Sequence, residues 1–172
     1  MTDPVAIAYE RLHNIVYGKL DISGLNLESL EWMNTHKNFD KIIKIKCGGN
    51  RLKELPLWPN VTHVECYANK LIELPLWPNI RQIFCFKNKL SKLPLWPKVR
   101  FINCSSNRLK ELPLWPDIKR IFCAGNLLEV VPLWSELKEI DIRDNYLNEL
   151  PLWQNVTIVH CNKIQKLPYQ IT

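Results

Sequence analysis

The sequence predicts an α/β-type repeat solenoid, a single stack of short coils that each supply a strand and an extended return segment. Three observations carry that expectation. Pro56, Pro75, Pro94, Pro113, Pro132 and Pro151 are each 19 residues apart, and a fixed period near 20 is the signature of stacked units. Between them, runs such as Val64-Glu65-Cys66, Ile83-Phe84-Cys85 and Ile102-Asn103-Cys104 place apolar residues at alternate positions, the period of a strand with one buried face. The phrase Leu-Pro-Leu-Trp-Pro begins at Leu55, Leu74, Leu93 and Leu112, with variants at Val131 and Leu150. Two prolines three residues apart cannot sit in a sheet ladder, so the phrase reads as polyproline II.

Bulk composition agrees. A chain of 172 residues suits one domain with a real core, and 47% hydrophobic against 23% charged residues is too apolar for a disordered segment. The net charge of +6 permits an acidic partner without requiring one. No apolar run has the length of a signal peptide or a membrane span, so a cytoplasmic protein with no membrane partner is expected. The sequons at Asn60, Asn103 and Asn155 are then silent.

From the N-terminus, residues 1–41 read as a cap. Asp3-Pro4 is a helix start, and Val5, Ile7, Ala8, Leu12, Ile15 and Val16 follow along one helical stripe before Gly18. Leu20 to Leu30 forms a degenerate first repeat, and the longer segment Glu31 to Lys41 replaces the proline phrase. The array proper occupies 42–172 as one continuous domain of seven units. The last unit lacks two residues between Cys161 and Asn162 and runs out at Leu167 to Thr172.

One unit is Val61 to Asn79. Val64 and Cys66 face inward and Glu65 outward. A single three-residue strand cannot bury its inner face alone, so each must stack on its neighbours. Asn50, Asn69, Asn88, Asn107, Asn126 and Asn145 then form a column whose amides can bridge their own turn and the next coil. In the proline phrase, three residues per turn put Leu74 and Trp77 on one face and Leu76 on another. The columns Leu55 to Leu150 and Trp58 to Trp153 are therefore expected inside, with Leu57 to Leu152 partly outside.

Each unit matches L-x-x-L-x-L-x-x-N-x-L, as in Val61-Thr-His-Val64-Glu-Cys66-Tyr-Ala-Asn69-Lys-Leu71. On that pattern the sequence resembles the leucine-rich repeat family over about four-fifths of its length. The Leu-Pro-x-x-Pro tail is similar to the short repeats of bacterial secreted effectors, which large DNA viruses also carry. Here each unit is one residue shorter, and Trp stands where those repeats have Leu. The resemblance implies a curved leucine-rich repeat solenoid with a concave parallel β-sheet, an extended polyproline-II convex side and an N-terminal helical cap. It places a secreted or viral member in the host cytosol. Some relatives append a ubiquitin-ligase domain, and none is expected within these 172 residues.

Cys47, Cys66, Cys85, Cys104, Cys123 and Cys161 share one inward strand position. Metal motifs pair cysteines two to four residues apart, whereas these spacings follow the repeat. Neighbouring strands hold Cβ atoms about 4.8 Å apart, too far for a disulfide. The column is expected to be a reduced core ladder, which points to a reducing compartment. His13, His36, His63 and His160 show no metal spacing, and no phosphate loop, nucleophile elbow or acid/base pair appears. No enzyme, metal or cofactor is expected.

The outward strand positions are free to serve function. Tyr67, Phe84, Phe86, Phe101 and Phe122 fall there, with Asn103 among them. Arg81, Arg100, Lys119 and Lys138 form a basic column beside them, to which Lys87 and Arg120 add. Exposed apolar patches mark interaction sites, so this concave face is expected to bind a protein. The alternative is single-stranded nucleic acid, with bases stacked on the phenylalanines and phosphates along the basic column. Glu65, Glu139, Asp141 and Asp144 near the ends of the face argue against a long phosphate track. Arg51, Lys70, Lys89 and Arg108 alternate with glutamates and read as a solvated rim. The C-terminal strand around Val159 lacks an evident cap, so a homodimer through that edge is a further expectation.

Overall fold

The alternating triplets form strands of the shortest useful length. The computed structural model describes residues 3–162. Among these, β1 (Lys19–Asp21), β2 (Lys44–Lys46), β3 (His63–Glu65), β4 (Gln82–Phe84), β5 (Phe101–Asn103), β6 (Arg120–Phe122), β7 (Glu139–Asp141) and β8 (Ile158–His160) make one parallel sheet in sequence order. The register never slips: Ile45, Val64, Ile83, Ile102, Ile121, Ile140 and Val159 pair in succession. Backbone pairing runs past each triplet, from Arg100 N–H to Arg81 O at 2.9 Å through Cys66 to Phe84 and Ala68 to Phe86. Each coil therefore contributes about seven residues to the sheet surface.

The middle strand residue, the following cysteine and the leucine after the asparagine are buried in coil after coil, joined by the column Val61, Ile80, Val99, Ile118 and Leu137. The cysteines are unpaired and, except for the half-buried Cys161, enclosed. Burial raises the five enclosed thiols above their ordinary range, Cys104 to about 12, which keeps them protonated and unreactive.

The proline phrase closes the far side as its three-residue period requires. Trp58, Trp77, Trp96, Trp115 and Trp134 are buried, while Leu57, Leu76, Leu95, Leu114, Leu133 and Leu152 remain exposed. Trp153, expected inside, is only half-buried, because no further described indole stacks on its outer face. Consecutive indoles lie nearly parallel with centroids 5.8–6.4 Å apart. That spacing exceeds the roughly 4.8 Å between strands, so the coils splay here and the sheet takes the inside of the curve.

A second bond explains why tryptophan accompanies proline. Trp77 Nε1 donates to the Pro56 carbonyl at 3.0 Å, and Trp96, Trp115, Trp134 and Trp153 repeat this to Pro75, Pro94, Pro113 and Pro132. An indole only donates, and proline's backbone only accepts, so the pair is complementary.

The asparagine column is a second ladder, and its direction corrects the sequence expectation. Asn88 Nδ2 donates to its own coil at Cys85 O (3.1 Å) and to Cys66 O (3.0 Å), while Oδ1 accepts from Leu71 N–H (3.0 Å). Each amide thus reaches back to the preceding coil, not forward. The residue before it is left-handed in every repeat: Gly49, Ala68, Lys87, Ser106, Gly125 and Asp144 all have φ between 50° and 67°.

At the N-terminus, α1 (Pro4–His13) starts as expected, with Asp3 Oδ1 accepting from Val5 N–H at 3.0 Å. The apolar stripe is narrower than the sequence suggests. Ala8 and Leu12 are buried and Ile15 partly so, but Val5 and Val16 face solvent, since the helix meets the first coil along a single line. Segment 31–41 holds two short 3₁₀ turns. Asn38 Nδ2 ties it to the helix end by donating to Leu12 O and His13 O. Asn50 binds Ile22 O and Leu27 N–H, so the degenerate repeat is a full coil of the stack. The tail from Leu167 to Thr172 lies outside the described residues.

Candidate functional site

A strand turned inward at its central residue presents its first and third residues on the opposite, concave face. The first column reads Lys19, Lys44, His63, Gln82, Phe101, Arg120, Glu139 and Ile158; the third reads Asp21, Lys46, Glu65, Phe84, Asn103, Phe122, Asp141 and His160. The middle of this face is aromatic and its ends are charged.

Phe84, Phe101 and Phe122 converge. Phe101 stands in the first column of β5, between Phe84 and Phe122 in the third columns of β4 and β6. Its ring centroid is 4.9 Å from Phe84 and 5.7 Å from Phe122, tilted by 41° and 58°. The Arg120 guanidinium lies over Phe101, 5.2 Å from the ring centre. All three rings are half-buried. Asn103 pairs in register with both Phe84 and Phe122, and its Oδ1 accepts from Ser105 N–H at 3.2 Å.

Tyr67 and Phe86 form a separate pair, two positions further along their strands. They stack at 4.8 Å with planes 4° apart. Tyr67 lies across Gly48, where an added Cβ would come within 2.7 Å of its ring. The aromatic positions anticipated as one patch are thus a tilted trio and a stacked pair.

Arg81, Arg100 and Lys119 line the edge where the chain enters the sheet, and all are exposed. Lys87 does not join them. Its left-handed φ of 55° places it in the turn at the opposite edge, about 20 Å along the strand from Arg81.

On the N-terminal side of Phe84 the face deepens into a groove of about 370 Å³ lined by Lys19, Asp21, Lys44, Lys46, His63, Glu65 and Gln82. Sequence reading missed this extension, although Lys19, Lys44 and Lys46 occupy the same outward register. Lys46 pairs with Glu65 at 3.3 Å. His63 meets Thr62 Oγ1 at 2.7 Å, and burial, then Lys44 and Arg81, holds its imidazole below the ordinary range. At the other end, Asp141 accepts from Arg143 Nη2 at 2.6 Å and Nε at 2.9 Å, which holds its carboxyl below the usual carboxylate range. Among the described residues no group of three His, Cys, Asp or Glu side chains is placed to hold a metal, and no helix is long and apolar enough to cross a membrane.

These coils build a leucine-rich repeat solenoid, a fold shared with solved bacterial effector structures. The chain is similar to YopM, a leucine-rich effector protein from Yersinia pestis, at 25% identity and a TM-score of 0.78, over 96% of this chain and 56% of that one. It also resembles YopM from Yersinia enterocolitica, at 27% identity and a TM-score of 0.69, over 75% and 31% of the two chains. A Shigella effector leucine-rich repeat domain shares the fold at 23% identity and a TM-score of 0.72, over 92% of this chain and 87% of the other. The chain thus spans about a third of one YopM structure and just over half of the other. No protein-family model and no curated protein sequence matches it.

Proposed function

We propose that the chain is a non-enzymatic scaffold that binds another protein on its concave face. Phe84, Phe101 and Phe122 anchor the partner, and Arg81, Arg100, Lys119 and Arg120 orient it. The carrying observation is the phenylalanine trio: three large apolar side chains on consecutive coils, packed against one another and half-exposed, at positions where stacking imposes no residue type. Clustered aromatics with arginine beside them are the usual composition of binding hot spots. The unpaired thiol column suits a reducing compartment such as a cytosol.

The test is the double variant Phe84→Ala/Phe122→Ala, used against a partner captured from lysate and then purified. The rings contribute little to the core, so melting stays near wild type while affinity falls about 30-fold, the effect of losing about 2 kcal/mol of anchor contact. A double variant that binds with wild-type affinity would place the site elsewhere.

A further inference from the structure

We infer that the segment received by this face is an acidic peptide carrying an aromatic or aliphatic anchor beside two or three carboxylates. The inference rests on the protein-binding reading of the concave face and specifies its partner's chemistry.

Arg81, Arg100, Lys119 and Lys138 precede the strand in four consecutive coils. Backbone bonds of 2.8–3.0 Å from each N–H to the carbonyl before it hold them in line, so their Cα atoms sit about 4.8 Å apart. Like charges directly opposite one another on neighbouring strands are destabilising. None of the four has a carboxylate within ion-pair distance among the described residues, where the ion pairs are Lys46–Glu65, Arg51–Glu28 and Arg143–Asp141. Two of the acids on the face, Glu65 and Asp141, are therefore already engaged. Glu139, in register with Arg120, is the acid left beside the trio, against the four column cations and Arg120, which lies on Phe101 itself, so the charge around the trio is net positive.

The span gives the segment its size. Four cations across three intervals cover about 14 Å, or about four residues of extended chain, which present two or three side chains on one side. The rings decide between peptide and nucleic acid. Stacked bases need open, flat ring faces, but the trio is tilted ring against ring and Phe101 is covered by Arg120. Tyr67 and Phe86 stack on each other, with Tyr67 over Gly48. An anchor side chain fits between tilted rings where a base does not.

The experiment selects a displayed library of random peptides, each about a dozen residues long, against the full chain, with oligo-dT as a second probe. The expected binders are acidic with one apolar anchor. They lose about 10-fold or more in affinity on Arg81→Glu/Arg100→Glu/Lys119→Glu, and less on the corresponding Gln triple variant, which guards against misfolding by charge reversal. Neutral or basic binders, a failure to enrich any binder, or tighter binding of oligo-dT would overturn the inference. Binders lost on Phe84→Ala/Phe122→Ala but kept by both charge variants would overturn the acidic partner alone. Binders kept by all of these variants would overturn the reading of the face as well.

Discussion

Replacing Asn88 with alanine tests the asparagine ladder in its best-buried stretch. The side chain makes three bonds of 3.0–3.1 Å, one accepted from Leu71 N–H and two donated to the carbonyls of Cys66 and Cys85, and a longer one of 3.4 Å to Phe86 O, which keeps its bond from Ala68 N–H. Those losses are unequal. Cys66 O keeps a bond from Asn69 Nδ2 at 3.1 Å, and Cys85 O keeps one from Asn107 Nδ2 at 3.0 Å. Only Leu71 N–H is orphaned, at a cost of about 1–3 kcal/mol, and the two shared bonds add about 1 kcal/mol together. A total near 3 kcal/mol lowers the melting temperature of a chain this size by about 6–12 °C. Asn88→Asp keeps the acceptor but turns a carboxylate toward two carbonyl oxygens, so at neutral pH it gains nothing over alanine. Asn145 makes the same bonds where water can reach, and its alanine variant costs about 1 kcal/mol. Thermal and urea unfolding of the three variants read this order directly. An Asn88→Ala protein melting within about 2 °C of wild type would show that the ladder is dispensable.

The tryptophan ladder supplies its own control: Trp96→Phe removes a bond to Pro75 O, whereas Trp58 Nε1 is buried without a partner among the described residues. Trp58→Phe should therefore cost about 1 kcal/mol less than Trp96→Phe in urea unfolding, and equal losses would deny the bond its value. Native protein treated with a thiol reagent should show one accessible cysteine, Cys161, and five that react only as the chain opens; fast labelling of all six would contradict the burial. Asp141 has a depressed folded-state pKa through Arg143, so its contribution is present above the ordinary carboxylate pKa and is lost as pH falls through the folded one. The stability gap between wild type and Asp141→Asn should accordingly be open at pH 7 and close below about pH 3.8, and a gap independent of pH would refute the pairing.

Repetition made the architecture legible. A residue type that returns every 19 positions reveals its environment by what it tolerates, as the cysteine column does by accepting Ile142. The period of the proline phrase likewise separated Trp77 from Leu76 correctly. What escaped were relations between columns. The indole-to-proline bond joins Trp77 to Pro56, 21 residues apart, and no periodicity announces a hydrogen bond. The left-handed turn is glycine in only two of six repeats, so it leaves no compositional mark, and nothing in the sequence separates Lys87 from the cations at the other edge. The split between the trio and the Tyr67–Phe86 pair depends on which way each ring leans across the sheet, which spacing does not encode.

The bond from each indole to the proline before it also gives the array a polarity, like a crystal growing along one axis. Insertion or removal of a whole 19-residue unit between Trp58 and Trp153 leaves the other indoles of this ladder matched to a proline carbonyl, and the unmet indole of the ladder is always Trp58, where it starts. The chain's length is therefore a free parameter of its chemistry, and the reach of its concave face is a matter of how many times one unit has been copied.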